Sequence, residues 1–91
     1  MLSPAERKQL KARAHKLDPV VLIGAKGLTD EVVKEVDLAL KAHELIKVRA
    51  ASLERDAREV AFKALCERTG AEAVQAIGKV FVIYRKRDEQ S

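Results

Sequence analysis

Gly24-Ala25-Lys26-Gly27 sets two glycines three residues apart around a single lysine. Glycines at that spacing let a chain turn tightly and let another backbone approach without interference from a Cβ. The apolar run Val20-Val21-Leu22-Ile23 leads into the loop, and Thr29 can cap a helix just after it. The free N–H groups and positive dipole end of such a helix favour a phosphate. Lys26 adds a mobile cation at the tip. These are the parts of a clamp for a phosphodiester backbone, and KH domains use a GXXG loop in that way. The same glycines also serve ordinary strand-to-helix turns. Gly27 is followed by Leu28-Thr29, so the Gly-Lys-Ser/Thr ending of a nucleotide-binding P-loop is missing, as is the GxGxxG spacing. A polymer is therefore favoured over a small nucleotide, and neither a cofactor nor a small-molecule substrate is expected.

Catalytic groupings are harder to assemble. Ser3 reads as a helix cap, Ser52 falls in a loop and Ser91 is the last residue. His15 and His43 belong to different helices, and only His43 is expected to point toward a core. No Ser/His/Asp or Cys/His arrangement suggests itself. One cysteine, Cys66, and two distant histidines are poor material for a metal site. A helical wheel puts Cys66 near the solvent row Glu59, Lys63 and Glu67, with no neighbouring base to activate it. No metal is expected, and the chain reads as a non-enzyme.

The elements that must position the loop follow from periodicity and punctuation. Ser3-Pro4-Ala5-Glu6 is a capping-box start with proline at the first helical position. The first helix is expected to run to about Leu17, with Leu10, Ala14 and Leu17 as its apolar stripe. At about 100° per residue, Arg7, Lys8, Lys11 and His15 fall in one adjacent sector, which makes a basic flank. Asp18-Pro19 ends the helix. Val20-Val21-Leu22-Ile23, apolar on both faces, reads as an interior strand. A second helix is expected from about Asp30 to His43, with Val32, Val33, Val36, Ala39, Leu40 and His43 on one face. Leu45-Ile46-Lys47-Val48-Arg49-Ala50 alternates as a half-exposed strand. Asp56 reads as the cap of a third helix ending at Thr69, with Gly70 as its stop and Ala57, Val60, Ala61, Ala64 and Leu65 packed inward. Strands over about Ala73 to Ile77 and Val80 to Arg85 close the domain around a Gly78-Lys79 turn, the latter strand central. The fold class is α/β: helix-strand-helix-strand-helix-strand-strand, a mixed four-stranded sheet packed with three helices. Residues 1–85 form one domain, and residues 86–91 a polar C-terminal tail.

Composition narrows the partner. The formal net charge of the 91 residues is +4. Residues 1–27 hold six basic and two acidic groups, whereas residues 28–91 hold twelve of each. The whole excess thus lies in the first third and favours a polyanion. With aromatics limited to Phe62, Phe81 and Tyr84, recognition is expected to rest on backbone shape and charge more than on stacked bases. That favours structured RNA bound with strong salt dependence, while DNA remains open on charge grounds. No apolar run is long enough to span a bilayer. No secretory signal pattern opens the chain, and a lone cysteine makes no internal disulfide. No membrane association is expected, and a cytoplasmic location is.

The order of motifs resembles the CRM domain family (chloroplast RNA splicing and ribosome maturation), in particular its stand-alone bacterial YhbY-like members. The residues carrying the resemblance are Ala14-His15, then Pro19 through Thr29 with the Gly24-Ala25-Lys26-Gly27 loop. His43-Glu44-Leu45-Ile46-Lys47-Val48, Thr69-Gly70-Ala71-Glu72 and Gly78-Lys79-Val80-Phe81-Val82-Ile83-Tyr84-Arg85 complete it. The match covers nearly the whole chain in order, and no departure breaks the pattern. The resemblance implies a fold similar to the C-terminal domain of bacterial translation initiation factor three. It also implies association with precursor large-subunit ribosomal RNA, in pre-ribosomal particles, and a role in their assembly. The RNA-contacting residues it implies are Gly24, Lys26 and Gly27, with Ala25 offering its backbone and the first helix in support (Arg7, Lys8, Lys11 and His15). Plant relatives carry several such domains and assist splicing, so a single domain fits the ribosomal role better. The rival reading is a protein-interaction module docking an acidic partner through the same basic edge.

Overall fold

The computed structural model describes residues 2–87. Its elements follow the expected order: α1 (Pro4–Ala14), β1 (Pro19–Leu22), α2 (Asp30–His43), β2 (Leu45–Arg49), α3 (Arg55–Thr69), β3 (Glu72–Ile77) and β4 (Val80–Tyr84). The strands form one sheet in the order β1-β2-β4-β3. β1 and β2, joined through α2, are parallel, and β4 is antiparallel to both β2 and β3. The sheet separates two apolar clusters. Val21, Ile23, Ile46, Val48, Phe81 and Ile83 point to one side, where Val36 and Leu40 of α2 and Leu65 of α3 cover them. Leu45, Val74 and Val82 point to the other, where Leu10 and Ala14 of α1 meet them. β4 supplies both clusters, which is why Val80–Tyr84 is apolar on both faces and central.

The first two helix starts are as read. The Glu6 amide donates to Ser3 Oγ and the Ser3 amide to Glu6 Oε1, each at 3.1 Å, a complete capping box. The Val32 amide donates to Thr29 Oγ1 at 3.2 Å. The third differs. The Arg58 amide bonds the Glu54 carbonyl at 2.8 Å, so α3 begins at Arg55 with Glu54 as an N-cap that makes no side-chain bond. Asp56 therefore sits inside the first turn, where its charge meets the positive helix end. α1 is shorter than periodicity suggested. It stops at Ala14, and Leu17 lies beyond it in a turn closed by the Leu17 amide on the Ala14 carbonyl.

Three further expectations are corrected by tertiary packing. β1 is an edge strand rather than an interior one, because only β2 flanks it; Val20 is 53% and Leu22 67% exposed. α3 is rotated from the expected register. It buries Ala61, Leu65 and Thr69 and half-buries Phe62 and Cys66, while Ala57 and Val60 face out. The Phe62 ring stacks on Phe81 with centroids 4.5 Å apart, and that stack sets the rotation. His43 is exposed at the last turn of α2, not aimed at the core.

Arg85 ties the C-terminal edge together. Its Nη1 donates to Asp37 Oδ1 of α2 at 2.6 Å and to the Thr69 carbonyl closing α3 at 2.7 Å, and its Nη2 donates to the Asp37 carbonyl. Arg87, counted by composition within the polar tail, bonds the Lys41 and Ala42 carbonyls at the end of α2. Residues 88–91 of that tail lie outside the described residues.

Replacing Arg85 with methionine is expected to lower stability by about 1.5–3 kcal/mol, the usual worth of a hydrogen bond to a charged group, since its bonds are partly buried. The urea midpoint measures this. The Arg85 hydrogen bond holds the Asp37 carboxyl below its ordinary 3.8, against a smaller opposing effect of burial, and Lys41 assists. A depressed carboxylate contributes stability that is present above pH 3.8 and lost as pH falls through the lower folded value. The wild type is therefore expected to lose stability on acidification below about pH 4 more steeply than the Arg85→Met variant. Burial, and then the neighbouring Glu67, push the Cys66 thiol up to about 11 from an ordinary 9.0. At pH 8 the folded protein should therefore react with iodoacetamide at least about tenfold more slowly than the unfolded chain.

Candidate nucleic-acid interface

The Gly24–Gly27 loop is a closed turn at the C-terminal end of β1. The Gly27 amide donates to the Gly24 carbonyl at 3.0 Å. Gly27 has φ +77°, which a side chain disfavours. Gly24 has no such requirement, and a Cβ built on it would meet nothing within 4 Å. The fold itself thus needs glycine at 27 and not at 24. Lys26 is exposed at the turn, and Ala25 presents its backbone beside it. Lys26 and its loop neighbours border a groove of about 480 Å³ whose other side includes Leu53, Asp56, Ala57 and Val60. Its far wall is the apolar stripe that the rotation of α3 turns away from the core.

The helix behind the loop is a weaker anion site than its sequence suggested. Thr29 already accepts the Val32 amide, and Asp30 and Glu31 occupy the first turn of α2. Both carboxylates oppose a phosphate at the positive helix end. Asp30 is also bonded to Arg68 of α3 at 2.6 Å, which lowers its pKa. A phosphate at this corner would have to rest on the loop and Lys26.

The basic flank of α1 lies elsewhere. Lys8, Lys11 and His15 are exposed. Arg7 is half-buried, because its guanidinium donates to the Ala73 carbonyl of β3 and pins α1 to the sheet. The C-terminal end of α1 stands near the start of β1, whereas the loop follows the end of that strand. At about 3.3 Å per residue, Pro19 and Gly24 are on the order of 15 Å apart. The fold does not bring Lys11 and His15 into contact with Lys26. Instead Lys11 and His15 border a cleft of about 420 Å³ between α1 and the sheet, floored by Lys47, Gln75, Ile77, Val80 and Val82.

Charge is divided between the two sides of the sheet. α1 carries four basic residues (Arg7, Lys8, Lys11, Arg13) and one acidic (Glu6), a sum of +3. On the opposite side, α2 holds two basic and four acidic residues, and α3 four basic and three acidic, a combined −1. Among the described residues, the ion pairs use Lys41, Arg55, Arg68 and Arg85 from the α2 and α3 side, and none takes up Lys8, Lys11, Lys26, Lys47, Arg49 or Lys79. The alternation of Leu45 to Ala50 puts Lys47 and Arg49 on one side of β2, but only the sheet order and helix cover could say which side that is.

The described residues include no group of three or more His, Cys, Asp or Glu side chains able to hold a metal ion. His15 and His43 border different cavities, one against Lys47 and Gln75, the other against Arg13 and Leu45. No helix among the described residues is long and apolar enough to cross a membrane.

Known proteins agree with this architecture. A family model for the CRS1 / YhbY (CRM) domain matches residues 2–85. An RNA-binding protein of Haemophilus influenzae is 42% identical over 88 residues, covering 97% of this chain and 89% of the relative. A probable RNA-binding protein of Pseudomonas aeruginosa is 42% identical over 85 residues, covering 93% of this chain and 82% of the relative. The names of both relatives denote RNA binding rather than a catalytic activity. The solution structure of a Staphylococcus aureus protein proposed to bind RNA superposes with a TM-score of 0.85 at 35% identity, covering all of this chain and 95% of the other. By sequence along nearly its whole length, and by fold, this chain belongs to the CRS1 / YhbY (CRM) domain family.

Proposed function

We propose that this chain is a non-enzymatic, cytoplasmic RNA-binding protein that associates with precursor RNA of the large ribosomal subunit and assists its assembly. The observation that carries the RNA reading is the charge division: a +3 helix on one side of the sheet against −1 for the two helices on the other. A polyanion approaching the domain is steered to the α1 side and to Lys26, cations that no ion pair among the described residues takes up. The RNA-binding names of the Haemophilus and Pseudomonas relatives support the same reading. Gly24, Ala25, Lys26 and Gly27 would hold one phosphate, with the loop backbone approaching closely because Gly24 lacks a side chain. Lys8, Lys11 and His15 would hold others, with Arg7 positioning α1. With no energy source in the chain, assistance to assembly would come from binding alone, by stabilising a folded RNA intermediate.

The test compares binding of a precursor large-subunit RNA transcript at two salt concentrations, with circular dichroism to confirm folding. Wild type is expected to bind with a steep salt slope. Gly24→Asp with Gly27→Asp, and separately Lys26→Glu, should weaken binding at least about tenfold, the scale of one or two lost phosphate contacts. Equal binding by folded loop variants would leave the loop as a plain turn. No binding by wild type, with an acidic protein retained on the domain after nuclease treatment, would favour a protein partner instead.

A further inference from the structure

The two cationic regions, α1 and the Gly24–Gly27 loop, are separated along β1 by on the order of 15 Å. Physiological salt screens exposed charges over about 8 Å. Without intervening cations, the two would act as separate patches. β2 supplies the intervening cations. Lys47 is registered beside Pro19, at the α1 end of β1, and Arg49 beside Leu22, two residues before the loop. Two residues along a strand span about 7 Å and return to the same face. That face is the α1 side, since Leu45 packs under α1 while Ile46, Val48 and Ala50 pack under α2 and α3. Lys47 also borders the cleft with Lys11 and His15. The β3–β4 turn brings exposed Lys79 to the Arg49 end of β2, where the Lys79 carbonyl accepts the Ala50 amide at 2.8 Å. Asp18 is the acidic residue bordering the same cleft.

Between and beside these cations the open face carries apolar side chains. α1 covers only the end of the sheet around Leu45, Val74 and Val82. Beyond it Ile77, 60% exposed, pairs with half-buried Val80, and Leu22, 67% exposed, lies on the same face across Arg49 from Val80. Apolar floor and unpaired cations together suit one occupant: a strand with charged phosphates along its edge and flat bases that can leave water. A duplex hides its bases and offers phosphates alone.

We propose that the uncovered half of the α1-side sheet face binds an unpaired RNA segment. Its phosphates run from Lys11 and His15 over Lys47 to Arg49 and Lys79, and its bases lie against Leu22, Ile77 and Val80. This rests on the RNA-binding reading above and extends it from the two ends of β1 to the surface between them.

The experiment measures anisotropy of a fluorescent 12-nucleotide oligouridylate and of a 12-base-pair RNA duplex, over a salt series. It uses wild type, Lys47→Met with Arg49→Gln, Lys26→Glu, and Lys34→Gln with Lys63→Gln as a control on the opposite layer. Methionine and glutamine keep most of each stem, and urea unfolding verifies stability. The β2 variant is expected to bind oligouridylate at least tenfold more weakly, with a salt slope smaller by about 1.4, two single-strand contacts at about 0.7 each. The control should bind like wild type. Ile77→Ser, which keeps every charge, should weaken oligouridylate binding without changing the salt slope. If Lys26→Glu weakens binding but the β2 variant matches wild type, the sheet-face proposal fails while the RNA reading stands. If the duplex binds more tightly than the oligouridylate, the unpaired-segment proposal fails. If wild type binds neither RNA, the proposal falls together with the reading it rests on.

Discussion

Val80–Tyr84 carries apolar side chains on both faces, and water must be kept from both. Everything else in the arrangement answers that requirement. β2 and β3 flank β4 and satisfy its backbone. Phe81 and Ile83 are sealed by α2 and α3, and Val82 by α1. A single helix cannot cover the face that two cover on the other side. α1 has just Leu10 and Ala14 buried, and its hold is supplemented by Arg7 on the Ala73 carbonyl. The central strand therefore dictates a sandwich with one thick side and one thin, partly open side.

That asymmetry has an electrostatic counterpart. On the thick side, two of the four carboxylates of α2 are spent internally. Asp30 holds Arg68, and Asp37 holds Arg85 and Lys41. These pairs lock helices to one another and to the end of β4. They also leave that side with little field for a polyanion. On the thin side, no ion pair among the described residues takes up Lys8, Lys11, Lys47, Arg49 or Lys79. The charges that lock the thick side are thus distinct from the exposed lysines of the thin side, while Arg7 ties α1 to the sheet.

The loop illustrates how a short motif can be half structural. Gly27 is required by its own backbone, while Gly24 meets no crowding and has an unremarkable conformation. The two acids in the first turn of α2 and the Thr29 cap already compensate the helix end, so the corner departs from a nucleotide-binding loop in electrostatics as well as in glycine spacing.

Much of this protein was legible in the order of its residues. The three helices, four strands, two of the caps and the centrality of Val80–Tyr84 follow from periodicity, punctuation and local hydrogen bonding, which act over a few neighbours. The localisation of excess charge to residues 1–27 is equally a property of the chain. What the chain could not declare was which surfaces end up covered. Val20–Ile23 is apolar enough for an interior strand, yet strand order left it at the edge. The apolar stripe Ala57, Val60 and Ala64 competes with Ala61, Phe62 and Leu65 for the core, and the stacking of Phe62 on Phe81 decided between them. Lys47 and Arg49 lie on one face of a strand in any conformation. Only the tertiary structure set that face beside α1, because a side chain's neighbours across a sheet depend on strand order and helix cover, and neither is encoded within the strand itself.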